Sequence, residues 1–155
     1  MGGEGKVWKM GFFPRKVLLA ADRSAEARLA VEAAVDLSKE TGSELHVVYV
    51  GLISPWVQPD AMSPTQNERL RLETRQVLDE LVQRVLALGG KVAQAHLKMG
   101  RADLEVLRLS DEIKAELIVI GSRGQNTIQR VLIGSDAESI VRHAPCPVLV
   151  IRKDP

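Results

Sequence analysis

Short apolar runs and stretches of helical periodicity alternate along this chain, and that alternation restricts the fold more than any other property of the sequence. Val17-Leu18-Leu19-Ala20-Ala21 is a continuous apolar run of strand length, the pattern of a strand covered on both faces. Asp22-Arg23-Ser24 then supplies a turn and an N-cap. Ala27, Ala30, Val31, Ala34, Val35 and Leu37 recur at helical spacing until Thr41-Gly42 stops the helix. A second strand is expected from about Leu45 to Val50, where β-branched residues are dense. Ser54 to Pro64, with three prolines, reads as a surface excursion.

Ser63-Pro64-Thr65-Gln66 has the form of a capping box with proline at the first helical position. It predicts a long helix striped by Leu70, Val77, Leu78, Leu81, Val82, Val85 and Leu86 and ended by Gly89-Gly90. A third strand is expected near Val92 to Leu97, then a helix from about Ala102 to Lys114 and a fourth strand over Leu117 to Ile120. Ser135-x-x-Glu138 predicts a second capping box opening a helix that ends near His143, before a last strand over Pro147 to Ile151.

Strand and helix thus alternate throughout, which favours an α/β fold of three layers, α/β/α, with a five-stranded parallel sheet. Right-handed crossovers restrict its topology, and the strand order 3-2-1-4-5 is expected. In such sheets ligands bind beyond the carboxyl ends of the strands, where successive connections leave in opposite directions. Asp22 follows the first strand and Gly121 ends the fourth, so this order sets them on either side of that point.

The connection after the fourth strand carries the chemistry. Gly121-Ser122-Arg123-Gly124 is followed by Gly134-Ser135, a G-x2-G-x9-G-S pattern in a loop that contains Arg123 and Arg130 and no acid. Glycines admit an anion close to the backbone, and the free N–H groups and dipole of the next helix attract negative charge. The chain has no G-x-x-x-x-G-K-[ST] and no G-x-G-x-x-G after the first strand, so it is neither a P-loop NTPase nor a Rossmann dehydrogenase. Spacing alone gives equal weight to a plain turn followed by a helix cap.

Several segments together resemble the universal stress protein family. Lys16 to Ser24 looks like the family's opening strand and aspartate. Glu116-Leu117-Ile118-Val119 precedes the loop as in the family, and Ala144-Pro145-Cys146-Pro147-Val148-Leu149-Val150-Ile151-Arg152 is similar to its ending. The glycine pattern is that of the family's ATP-binding branch. The resemblance implies an adenine nucleotide alpha hydrolase-like fold and a nucleotide-binding stress regulator rather than an enzyme. The alternatives are a module of the same fold without nucleotide, or a slow ATPase.

By the same resemblance, Asp22 would take the ribose hydroxyls and the backbone near Ala20 and Val50 would contact adenine. Gly121, Gly124, Gly134 and Ser135 would surround the phosphates of ATP, joined by Arg123. A homodimer is implied as well, with the last strands pairing antiparallel. The chain departs from the family pattern at Asp136, where a small or apolar residue is usual. Counted with the binding residues, Asp136 would compete with the charge of a bound anion, although an acid in a first helical turn also stabilises the helix dipole. A Mg or Mn ion accompanying ATP would reverse that competition, but helix stabilisation is the stronger reading.

Composition closes off other functions. The 155 residues, 45% hydrophobic and 26% charged, suit one domain, expected over 15–155 behind a flexible leader over 1–14. A net charge of +1 gives no field for gripping nucleic acid, and 3% aromatic residues give no base-stacking platform. The single Cys146 excludes an intrachain disulfide and fits a reducing cytoplasm, and the three histidines form no zinc-like cluster. No apolar run approaches the ~20 residues that span a bilayer. His46, His96, His143 and Cys146 are expected to be structural.

Overall fold

The computed structural model describes residues 13–53, 61–123 and 133–153. In these segments the elements are β1 (Lys16–Ala20), α1 (Ala25–Thr41), β2 (Glu44–Leu52), α2 (Pro64–Ala87), β3 (Gln94–Gly100), α3 (Ala102–Ile113), β4 (Leu117–Gly121), α4 (Ser135–His143) and β5 (Val148–Ile151). The leader up to residue 12, the excursion over 54–60, Gly124 and Arg130 lie outside the described residues.

The strands pair in the order β3-β2-β1-β4-β5, each pairing parallel, which is the expected topology. Alternation along the strands splits the core in two. Val17, Leu19, Val47 and Val119 pack with Ala30, Val31 and Val35 of α1 and Leu78 and Val85 of α2. On the other face Leu18, Val48, Ile118 and Ile120 pack with Val106 and Leu109 of α3 and Ala137 and Ile140 of α4. Val17, Leu18 and Leu19 are 0% exposed, so β1 is sealed on both faces, as its unbroken apolar run required.

The local signals that end the first two helices act as read. Ser24 caps α1 by accepting the Ala27 N–H at 3.0 Å, and Gly42 closes it with φ 72°, a left-handed conformation open to glycine. Ser63 and Gln66 form both bonds of the capping box at α2, at 3.1 and 2.9 Å. The third strand, however, runs over Gln94–Gly100 rather than Val92 to Leu97. Its limits are set by pairing with β2 from His46 to Leu52, while Val92 packs against the α1/α2 core outside the strand. β2 likewise continues to Leu52, beyond the expected end at Val50.

Gly51 in β2 lies under α2. An added Cβ would drive into the buried Thr74 and stand 2.9 Å from Sδ of Met99, and Thr74 is itself tied to the Leu70 carbonyl at 2.7 Å. Gly51→Ala is expected to cost about 1–3 kcal/mol through overpacking, read as a lower urea midpoint at unchanged slope.

Candidate functional site

β1 leads into α1 on one face of the sheet, and β4 leads towards α4 on the other. Between the carboxyl ends of these two strands the connections diverge and a pocket opens. Ala20, Asp22, Val50, Gly121, Arg123, Gly134, Ser135 and Asp136, all singled out from the sequence, line this one pocket. Sequence reasoning did not name its apolar wall of Val48, Tyr49, Ile120, Ala102, Val106 and Ile140. The signal for Val48 was its shared parity with Val50 on β2. Ala102 and Val106 come from α3, whose sequence carries no site motif.

A hydrogen-bonded turn holds Asp22 at the end of β1. The Ser24 N–H donates to Asp22 Oδ1 at 2.8 Å, and the Ser24 hydroxyl donates to the Arg123 carbonyl at 3.2 Å, joining the ends of β1 and β4. Gly121 is required by packing at this junction. A Cβ there would stand 2.9 Å from the Glu26 carbonyl carbon and 3.0 Å from the Ala27 nitrogen, inside the first turn of α1. The Arg123 guanidinium donates to buried Glu26 at 2.5 Å. Burial raises the Glu26 carboxyl, but its own backbone hydrogen bond and Arg123 outweigh that and hold it below the ordinary range. Arg123 thus borders the pocket while paired to α1.

The start of α4 differs from the expected capping box. Gly134 is the N-cap and Ser135 the first helical residue, and no side chain caps the helix. The cause is a tertiary clamp: the Gly134 N–H donates to the Ser122 carbonyl at 2.6 Å, fixing Gly134 in an extended conformation from which the helix begins. The Gly134 carbonyl accepts the Glu138 N–H at 2.9 Å, while the Glu138 side chain turns to Arg142, also at 2.9 Å. The first-turn N–H groups of α4 have no acceptor within their own helix. They lie where Ser135 and Asp136 border the pocket.

Behind this wall, Arg101 grips the buried Asp103 through two bonds of 2.7 and 2.9 Å, and Ser139 of α4 donates to Asp103 at 2.6 Å. The Arg101 bonds hold the Asp103 carboxyl at about 2, against the opposing effect of burial. Asp136, exposed at the pocket rim, is shifted the other way. Loss of surrounding water and then the Asp103 charge raise its carboxyl, partly offset by the Asp103 backbone N–H. Among the described residues no cluster of His, Cys, Asp or Glu is grouped to hold a metal ion.

The histidines and the cysteine lie outside the pocket lining. His46 is buried and stacked on His96, with Nδ1 and Nε2 3.1 Å apart, and His143 bonds the Ser139 carbonyl at 2.9 Å near the end of α4. Burial and Glu116 push the half-buried Cys146 thiol up to about 11, which keeps it protonated and inert at neutral pH. No described helix is long and apolar enough to cross a membrane.

With this fold and pocket in view, comparison with known proteins is direct: the chain belongs to the universal stress protein family, whose family description matches residues 14–152. It is 30% identical over 141 residues to a universal stress protein of Methanocaldococcus jannaschii, covering 90% of this chain and 82% of that one. Among solved structures it is similar to the universal stress protein UspA from Lactobacillus plantarum, with 27% identity, a TM-score of 0.77 and coverage of 88% and 97% of the two chains. The fold is also that of a universal stress protein solved in complex with cAMP, at 21% identity, a TM-score of 0.71 and coverage of 92% and 99%.

Asp103 gives this wall a pH signature. Its carboxyl ionises at about 2 in the fold against an ordinary value of 3.8. Its contribution to stability is therefore complete above about pH 4 and lost as pH falls towards 2. Asp103→Asn is expected to lower stability at neutral pH by about 2 kcal/mol. The gap from wild type should close as both are unfolded by urea at progressively lower pH through that window.

Proposed function

We propose that the pocket binds an adenine nucleotide and that the chain is a regulator whose surface changes with the bound state. The observation that carries this is the convergence, on one apolar pocket, of the Asp22 carboxylate and the first turn of a helix that no side chain caps. Adenine fits against Val48, Val106, Ile120 and Ile140, with the backbone near Ala20 and Val50 at its polar edge. Asp22 accepts the ribose hydroxyls. Phosphates sit against Gly121, Gly134, Ser135 and the α4 N–H groups, with Gly124 and Arg123 completing the cradle in the manner that the glycine pattern implies.

ATP is the ligand named by that pattern. A Mg or Mn ion would arrive on its phosphates, since the described side chains do not cluster around a cation. The relative that holds cAMP shares the fold and supports the nucleotide class. Phosphate release from ATP faster than about 1 per second would instead make the chain an enzyme.

The direct test is calorimetric titration with adenosine and ATP, beside mass spectrometry of ligand released by acid from the purified protein. Absence of binding at millimolar ligand would leave an interaction module without nucleotide. Asp22→Asn keeps the turn to Ser24 but weakens the acceptor for ribose. It is expected to loosen adenosine, which carries no phosphate, by about five- to tenfold, the difference between charged and neutral hydrogen bonds.

We also propose a cytoplasmic homodimer formed by antiparallel pairing of β5. That strand is one edge of the sheet, and Leu149 on it and Val141 on α4 are exposed. Light scattering is expected to give twice the chain mass at micromolar concentration, and Leu149→Lys to shift it towards the single chain.

A further inference from the structure

We propose that Asp136 makes this pocket select against phosphate charge, so that each phosphate added to a nucleotide is accepted at a disadvantage that a neutral residue at this position would not impose. The inference rests on the nucleotide function proposed above and concerns which members of that class the site favours. Asp136 is the second residue of α4 and borders the same pocket as Asp22, Gly134 and Ser135. The N–H groups that would attract a phosphate therefore share a helical turn with a carboxylate. A helix N-terminus is equivalent to about half a positive charge, less than the full negative charge beside it.

The surrounding charges do not restore the balance. From α3, Asp103 repels Asp136 while its backbone N–H bonds it, and Arg101 attracts it; from the end of β1, Asp22 repels it. Of the described cations, Arg101 is engaged with Asp103 and Arg123 with Glu26. The Asp136 carboxylate belongs to neither pair and borders the pocket. Loss of surrounding water first, and the Asp103 charge second, raise the Asp136 carboxyl, so negative charge is already disfavoured at that point. A phosphate placed there adds to it. Water at the rim screens the effect, so it shades affinity rather than forbidding binding.

Asp136→Asn removes the charge and keeps an oxygen to accept the Asp103 N–H. Wild type and variant are titrated with adenosine, AMP, ADP and ATP in EDTA at neutral pH. The ratio of wild-type to variant Kd is expected near one for adenosine and to climb to roughly tenfold for ATP, the scale of one screened charge. Lowering the pH until Asp136 is protonated should bring the ATP ratio back towards one. Asp136→Ala, neutral without the amide, should show the same climb. A ratio that stays flat across the four ligands, or ATP binding more tightly to wild type than to both variants, overturns the inference and leaves the nucleotide function intact. If none of the four binds any of the proteins, both fall together.

Discussion

The burial of β1 on both faces is the constraint from which the rest of the molecule follows. Leu18 and Leu19 point to opposite sides of the sheet and are both fully covered, so apolar helices must lie above and below it. A central parallel strand can gain such cover only through crossover helices, and these leave β1 and β4 on opposite faces. The pocket is the gap that this divergence opens. Its floor is therefore core: Val48, Val50 and Ile120 belong both to the packed interior and to the pocket wall.

Close approach at Gly121 carries that core into the site. Because α1 begins against β4 with no room for a side chain, Glu26 comes within reach of Arg123, and Ser24 within reach of the Arg123 carbonyl. The residues that a glycine signature suggests for phosphate thus also hold two strand ends together. On the opposite wall, Asp103 joins α3 to α4 through Arg101 and Ser139, so both sides of the pocket are braced by buried carboxylates with satisfied hydrogen bonds. Such bracing holds together the backbone segments that carry Asp22 and Asp136.

The sequence made the central elements legible because they are locally consistent. β1 and β4 are unbroken apolar runs, and Ser24, Ser63 and Gly42 act within their own turns. It was less informative where pairing or tertiary contacts decide. β3 lies at the sheet edge and mixes Gln94, His96 and Lys98 with apolar residues, so its limits follow β2 rather than its own pattern. The Ser135-x-x-Glu138 spacing looked like a cap because the Gly134 to Ser122 clamp joins residues twelve apart, which no local motif encodes. Glu26 and Asp103 stand in the first turns of α1 and α3 with no local motif to mark them, and only the fold shows that both are buried against arginines. The described residues among those named from the glycine pattern and the strand ends border one pocket, since topology places the ends of β1 and β4 side by side.

The clamp between Gly134 and Ser122 also has an entropic consequence. A loop must have its ends brought together before it can surround anything, and this cost grows with the logarithm of its length. Here the 2.6 Å bond joins those ends as part of the folded sheet and helix. The entropy of joining these two ends is thus spent in folding, through a contact between Ser122 and Gly134 that the sheet and the helix hold in place.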